Sequence, residues 1–91
     1  MRSEVIDAAM AQRLQNKAIS EGDLWIWTVT ANPSDLPHLF VARPHSTKMR
    51  GAFGFVLVGE TLAALRSQLP WGLHRESRRE ADDPVIVEVW Y

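Results

Sequence analysis

A chain of 91 residues, 46% hydrophobic and 23% charged, has the size and composition of one small globular domain with a thin core, which excludes a disordered or fibrous class. It contains no cysteine, which excludes a disulfide framework, a thiolate zinc site and a cysteine nucleophile, and a reducing cytoplasmic setting is expected. Its net charge of −1 hides a segregation: residues 1–35 carry three cations and five acids, residues 36–79 seven cations and two acids, and residues 80–91 four acids and no cation.

In chain order, Ser3 is the expected cap of a helix running to about Ser20, with Glu4 and Asp7 near its positive end. Its apolar stripe is Ile6, Met10, Leu14 and Ala18, a narrow and alanine-rich face that makes residues 1–22 read as a helical extension. Gly22 breaks it. A domain over residues 23–91 then opens with a strand, Leu24 to Thr30, filled with aromatic and β-branched residues. Asn32 to Pro37 is a turn, since two prolines and the Asn, Ser and Asp side chains disfavour a ladder and favour local bonds. Leu39 to Arg43 is the second strand, antiparallel to the first. Pro44 to Ala52 is a polar loop, and Phe53 to Val58 the third strand.

At Leu62, Leu65 and Leu69 the period changes to that of a short helix, with Thr61 as N-cap and Pro70 as stop. His74 to Asp83 reads as a charged linker, and Pro84 to Tyr91 as the last strand. The predicted fold is α+β, order α-β-β-β-α-β, with a mixed four-stranded sheet and a helix packed on one face. A right-handed crossover places the last strand parallel to the third, either beside it or on the first strand's free side. Alternation assigns Val85, Val87, Val89 and Tyr91 to the core with Leu62, Leu65 and Leu69. Ile86 and Trp90, flanking Glu88, are left with Leu24 and Ile26 on a second face too apolar to be simply wet. The N-terminal helix, a second copy of the chain or a partner has to cover it.

Chemistry-bearing motifs are sparse. His38, His45 and His74 make no metal-ligand spacing with one another or with a carboxylate, and no nucleophile elbow or phosphate loop is present. No catalytic residue, cofactor or metal is assigned. Two basic elements, Arg43, Lys48 and Arg50 in the polar loop and Arg78 and Arg79 in the linker, are candidates for anion or nucleic-acid contacts, set against a solvated loop and local ion pairs. Among the four tryptophans, Trp25 and Trp27 are core anchors. Trp71 and Trp90 suit an interface, where an indole buries its ring and keeps a polar handle.

The residues Trp27-Thr28-Val29, Phe40-Val41-Ala42-Arg43, Thr61 to Arg66 and Asp82 to Trp90 resemble a group of small bacterial proteins found mainly in alphaproteobacteria, over about residues 25–91. The resemblance implies no activity, cofactor or partner. The helix–three-strand–helix order is also similar to that of the double-stranded-RNA-binding domain, but Thr61 to Leu69 holds one cation where that domain has a basic helix start. The sequence therefore reads as a non-enzymatic binding module acting through a homodimer or a protein partner, with Ile26, Trp71, Ile86 and Trp90 as candidate interface residues. Weak anion or nucleic-acid binding is the alternative. No run approaches the ~18 apolar residues of a membrane span, so no membrane role is expected.

Overall fold

A computed structural model describes residues 4–48, 53–77 and 86–91. Its elements are β1 (Glu4–Val5), α1 (Ala8–Ser20), β2 (Trp25–Ala31), β3 (Phe40–Ser46), β4 (Phe55–Gly59), α2 (Leu62–Arg66), β5 (Arg75–Ser77) and β6 (Ile86–Trp90). They form a single six-stranded sheet of order β1-β4-β3-β2-β6-β5 with two helices. The α+β class holds. The expected four strands become six because β1 and β5 are two and three residues long and carry charge, too short and too polar for a period-2 apolar signal.

Those short strands change the topology. β1 pairs parallel with β4, and every other pair is antiparallel, so β1, β2, β4 and β5 run one way and β3 and β6 the other. The last strand is thus antiparallel to β4, not parallel as expected. The strand that follows the crossover helix is β5, which is parallel to β4, and β6 returns beside it to pair with the free side of β2. Both edges are short and exposed, which limits edge-to-edge pairing.

Local chemistry explains most boundaries. The cap of α1 is Asp7, whose Oδ1 accepts from the Met10 N–H at 2.8 Å; Ser3 lies outside the described residues. Thr61 caps α2 as expected, accepting from Ala64 N–H at 3.0 Å. The turn after β2 closes through Asn32, whose Oδ1 accepts from the His38 N–H at 2.7 Å, and both residues have left-handed φ (52° and 66°). His38 therefore belongs to the turn rather than to a strand. Pro44, expected in a loop, lies within β3 opposite Trp27. Its missing N–H is tolerated because β3 has by then passed Ala42, its last register partner on β4.

The buried residues of α1 are Ala11, Gln15 and Ala18; of the expected stripe, Ala18 is buried, Ile6 and Leu14 pack against the core, and Met10 is exposed. Two alanines let the helix approach the sheet closely, and Gln15 Oε1 accepts from the Trp27 indole N–H at 2.9 Å. Ala11 and Ala18 join Trp25, Trp27, Val29, Ala42, Leu57 and Leu65 in one cluster, so the first 20 residues supply part of the core. Both helices lie on this face of the sheet.

At the end of β4 the chain turns sharply into α2. A Cβ built on Gly59 would lie 2.7 Å from the backbone N of Leu65 and 3.1 Å from its Cα, contacts that no side-chain rotation relieves. Gly59→Ala is expected to lower unfolding stability by about 1–3 kcal/mol, read as a reduced urea midpoint with an unchanged slope.

Candidate interaction face

Register determines which residues share a face, because directly opposed residues point the same way. Trp27 opposes Pro44 and Trp90, and Val29 opposes Ala42 and Glu88; these face the helices. Between Val29 and Thr30 the β2–β6 register slips, so that Thr30 opposes Ile86 and Val87 is the extra residue of a β-bulge. The bulge breaks the alternation. Val87, Glu88 and Trp90 all lie toward the core, and Ile86 and Val89 point away from it.

This corrects the expectation for β6. Trp90 packs against the core instead of standing on the second face, and Val89 takes the outer position instead of completing the core. The physical reason is Glu88, a carboxylate only 3% exposed. Arg66 of α2 reaches across the sheet and donates to it twice, from Nε at 3.1 Å and Nη2 at 2.5 Å, and the Trp90 indole N–H donates as well. Burial pushes the Glu88 pKa up. The hydrogen bonds from Arg66 and Trp90 and the charges of Arg66 and Arg75 outweigh it and hold the carboxyl below its ordinary value. Among the described residues every buried side-chain N or O has a hydrogen-bond partner.

The opposite face bears no described helix. Three rows cross it. Arg43, Thr28, Val89 and Glu76 lie side by side on β3, β2, β6 and β5. Val58, Val41, Thr30 and Ile86 form the second row on β4, β3, β2 and β6. His45 and Ile26 begin the third. At the end of β6, Tyr91 follows the parity of Val89 and meets the His74 ring edge-on, with centroids 6.1 Å apart. Val41 is fully buried, but Ile26, Thr28, Thr30, Val58, Ile86 and Val89 are only half-buried.

Of the four candidate interface residues, Ile26 and Ile86 share this helix-free face. Trp71 does not. It follows α2 on the helix side, 87% exposed, with its backbone N–H donating to Gln12 Oε1 of α1 at 2.8 Å. The basic candidates are not gathered into one patch among the described residues. Arg43 lies on the helix-free face but is paired with Asp35 at 2.5 Å. Lys48 donates to the Glu21 carbonyl at 3.4 Å, at the end of α1. Arg50, Arg78 and Arg79 lie outside the described residues. Beside Arg43, His45 has its pKa lowered by burial and by the Arg43 charge, so its neutral form is favoured on this face.

Two features escaped sequence reading. Asp23 ties the base of the β2–β3 hairpin, accepting from Ser46 Oγ at 2.6 Å and the Trp25 indole at 3.0 Å, and the Ser46 bond is the main reason its pKa is lowered. An open cavity of about 220 Å³ lies between α1 and the aromatic trio Trp25, Phe53 and Phe55, whose rings close on one another at 4.5–5.8 Å. The alternation of Phe53 and Phe55 was a visible sign of a core-facing strand, but nothing in it signalled a cavity. Among the described residues no group of three His, Cys, Asp or Glu side chains could hold a metal, and no helix is long and apolar enough to cross a membrane. Comparison with protein-family models, curated proteins and solved structures yields no match.

The Arg66–Glu88 pair has a pH signature. A carboxyl whose pKa is depressed on folding stabilises the native state above its unfolded value, and that contribution is lost as the pH falls through the folded value. Arg66→Met leaves the buried charge with the Trp90 indole N–H and the more distant Arg75. Because Arg66 is itself 36% exposed, solvent screens part of the pair, and the expected loss at pH 7 is smaller than for a fully buried pair but readable as a lower urea midpoint. The gap between variant and parent in urea unfolding is expected to narrow as the pH falls from the ordinary carboxylate value through the lower folded one and Glu88 takes up its proton.

Proposed function

We propose that this chain is a non-catalytic, cytoplasmic binding module whose helix-free sheet face takes up the surface of another folded polypeptide. One observation carries the reading: both helices pack on the same side, and the other side presents half-buried Ile26, Val58, Ile86 and Val89 bordered by Arg43, His45, Glu76 and Tyr91. An apolar centre with a polar border is the composition of a protein interface. The nucleic-acid alternative draws less support, since the two described basic candidates lie apart, Arg43 on the sheet face beside Asp35 and Lys48 at the end of α1.

The test is oxidative footprinting of the chain in concentrated host lysate against the dilute purified chain. Ile26, Ile86 and Val89 are expected to be protected in the lysate, and Trp71, on the opposite side, to label equally in both. Equal labelling of both faces in both samples overturns the reading. Protection that vanishes on nuclease treatment replaces it with nucleic-acid binding, whose affinity would fall steeply with salt.

A further inference from the structure

We infer that the occupant of this face is a second copy of the chain, docked about a two-fold axis that runs along the strands between β2 and β6. The inference rests on the binding-face reading above and names its partner. It comes from the order of side chains in the central row. Arg43, Thr28, Val89 and Glu76 stand on four adjacent strands, so the row runs from cation through a small polar and an apolar residue to anion. Its charge is antisymmetric about the line between β2 and β6.

A two-fold rotation about that line exchanges β3 with β5 and β2 with β6. Arg43 of each copy is then carried over Glu76 of the other, and Thr28 over Val89, in every row-to-row contact. The interface is isologous, as closed dimers require, and the strands of the two sheets run nearly parallel, the aligned mode of sheet packing. In the neighbouring rows the same rotation sets Thr30 against Ile86 and brings Ile26 toward Tyr91. A two-fold axis across the strands would instead place Arg43 over Arg43 and Glu76 over Glu76. The charges thus choose between the two closed arrangements of one apolar face.

Neither charge is bare in the single chain. Arg43 holds Asp35, and Glu76 has an interaction of its own. Exposed pairs of this kind contribute little affinity. Their part is to set the orientation, because like charges brought together are strongly disfavoured while the apolar rows supply the association. The exposed Trp71 lies on the helix side and takes no part.

Sedimentation velocity on the intact chain tests this. Wild type is expected to be dimeric at tens of micromolar. Thr28→Arg, at the centre of the interface, is expected to yield a folded monomer by circular dichroism. Glu76→Arg alone, and Arg43→Glu combined with Asp35→Asn so that the new carboxylate meets no like charge, are each expected to weaken self-association at least about tenfold. Mixed in equal amounts they are expected to form a heterodimer, since each copy then meets its opposite. A wild-type chain that stays monomeric at about 100 μM overturns the second-copy inference, and persistent footprint protection would then leave the binding-face reading in place. A dimer that survives Thr28→Arg overturns the placement on this face, and two weakened variants that fail to associate when mixed overturn the axis.

Discussion

Trp27 is the side chain on which the structure converges. It is fully buried at the middle of the central strand, flanked in register by Pro44 of β3 and Trp90 of β6. Its indole N–H meets Gln15 of α1, also buried. That one bond satisfies two polar groups which would each cost about 1–3 kcal/mol if left unpaired. It also fixes the height and rotation of α1 over the sheet, and the small buried side chains of Ala11 and Ala18 leave the helix room to sit low enough to make it. With α1 so placed and α2 packed against Gly59, both helices occupy one side, and the other side of the sheet is left without either.

The second buried polar group, Glu88, does on β6 what Gln15 does on α1. A carboxylate in the core needs donors, and Arg66 and Trp90 supply them from α2 and from the same strand. The β-bulge at Val87 turns Glu88 inward while allowing Ile86 and Val89 to face out. An arginine–glutamate pair thereby joins the two ends of the α2–β5–β6 segment across 22 residues of chain. Apolar packing gives these elements affinity for the sheet, and directional donors give them one position on it.

Elements dense in aromatic and β-branched residues were legible in the sequence: β2, β3, β4 and β6, together with Thr61 as the cap of α2. Others were hidden for identifiable reasons. β1 and β5 are held by neighbours rather than by their own composition, and Glu4, Arg75 and Ser77 look like loop. Of the expected N-terminal stripe, Ile6, Leu14 and Ala18 pack on the core and Met10 is exposed, while Ala11 and Gln15, which carry little hydrophobic signal, complete the buried edge unannounced. For β6 the strict alternation Val-Ile-Val-Glu-Val-Trp suggested one apolar face, and a single inserted residue reversed half of it. That slip is invisible in one dimension, because it depends on where β2 ends its pairing. The presence of a second sheet face with half-buried apolar residues was legible, as was the place of Ile26 and Ile86 on it. Which tryptophans belonged there was not, since Trp90 was claimed by Trp27 and Glu88, and Trp71 by the helix side.

Written by direction, the chain runs β-α-β-β twice, β1-α1-β2-β3 and then β4-α2-β5-β6, yet the halves do not sit side by side. β4 enters between β1 and β3, and β6 closes on β2, matching Trp27 with Trp90. The first half, as it leaves the ribosome, has a gap where β4 belongs and a bare central strand where β6 belongs. Its β2–β3 hairpin therefore cannot be extended into the full sheet until β4 and β6 arrive. A fold woven in this way couples contacts across more than 60 residues into one late event, and such topologies fold slowly for their size. The docking of β6 on β2 becomes the step that commits the domain to its structure.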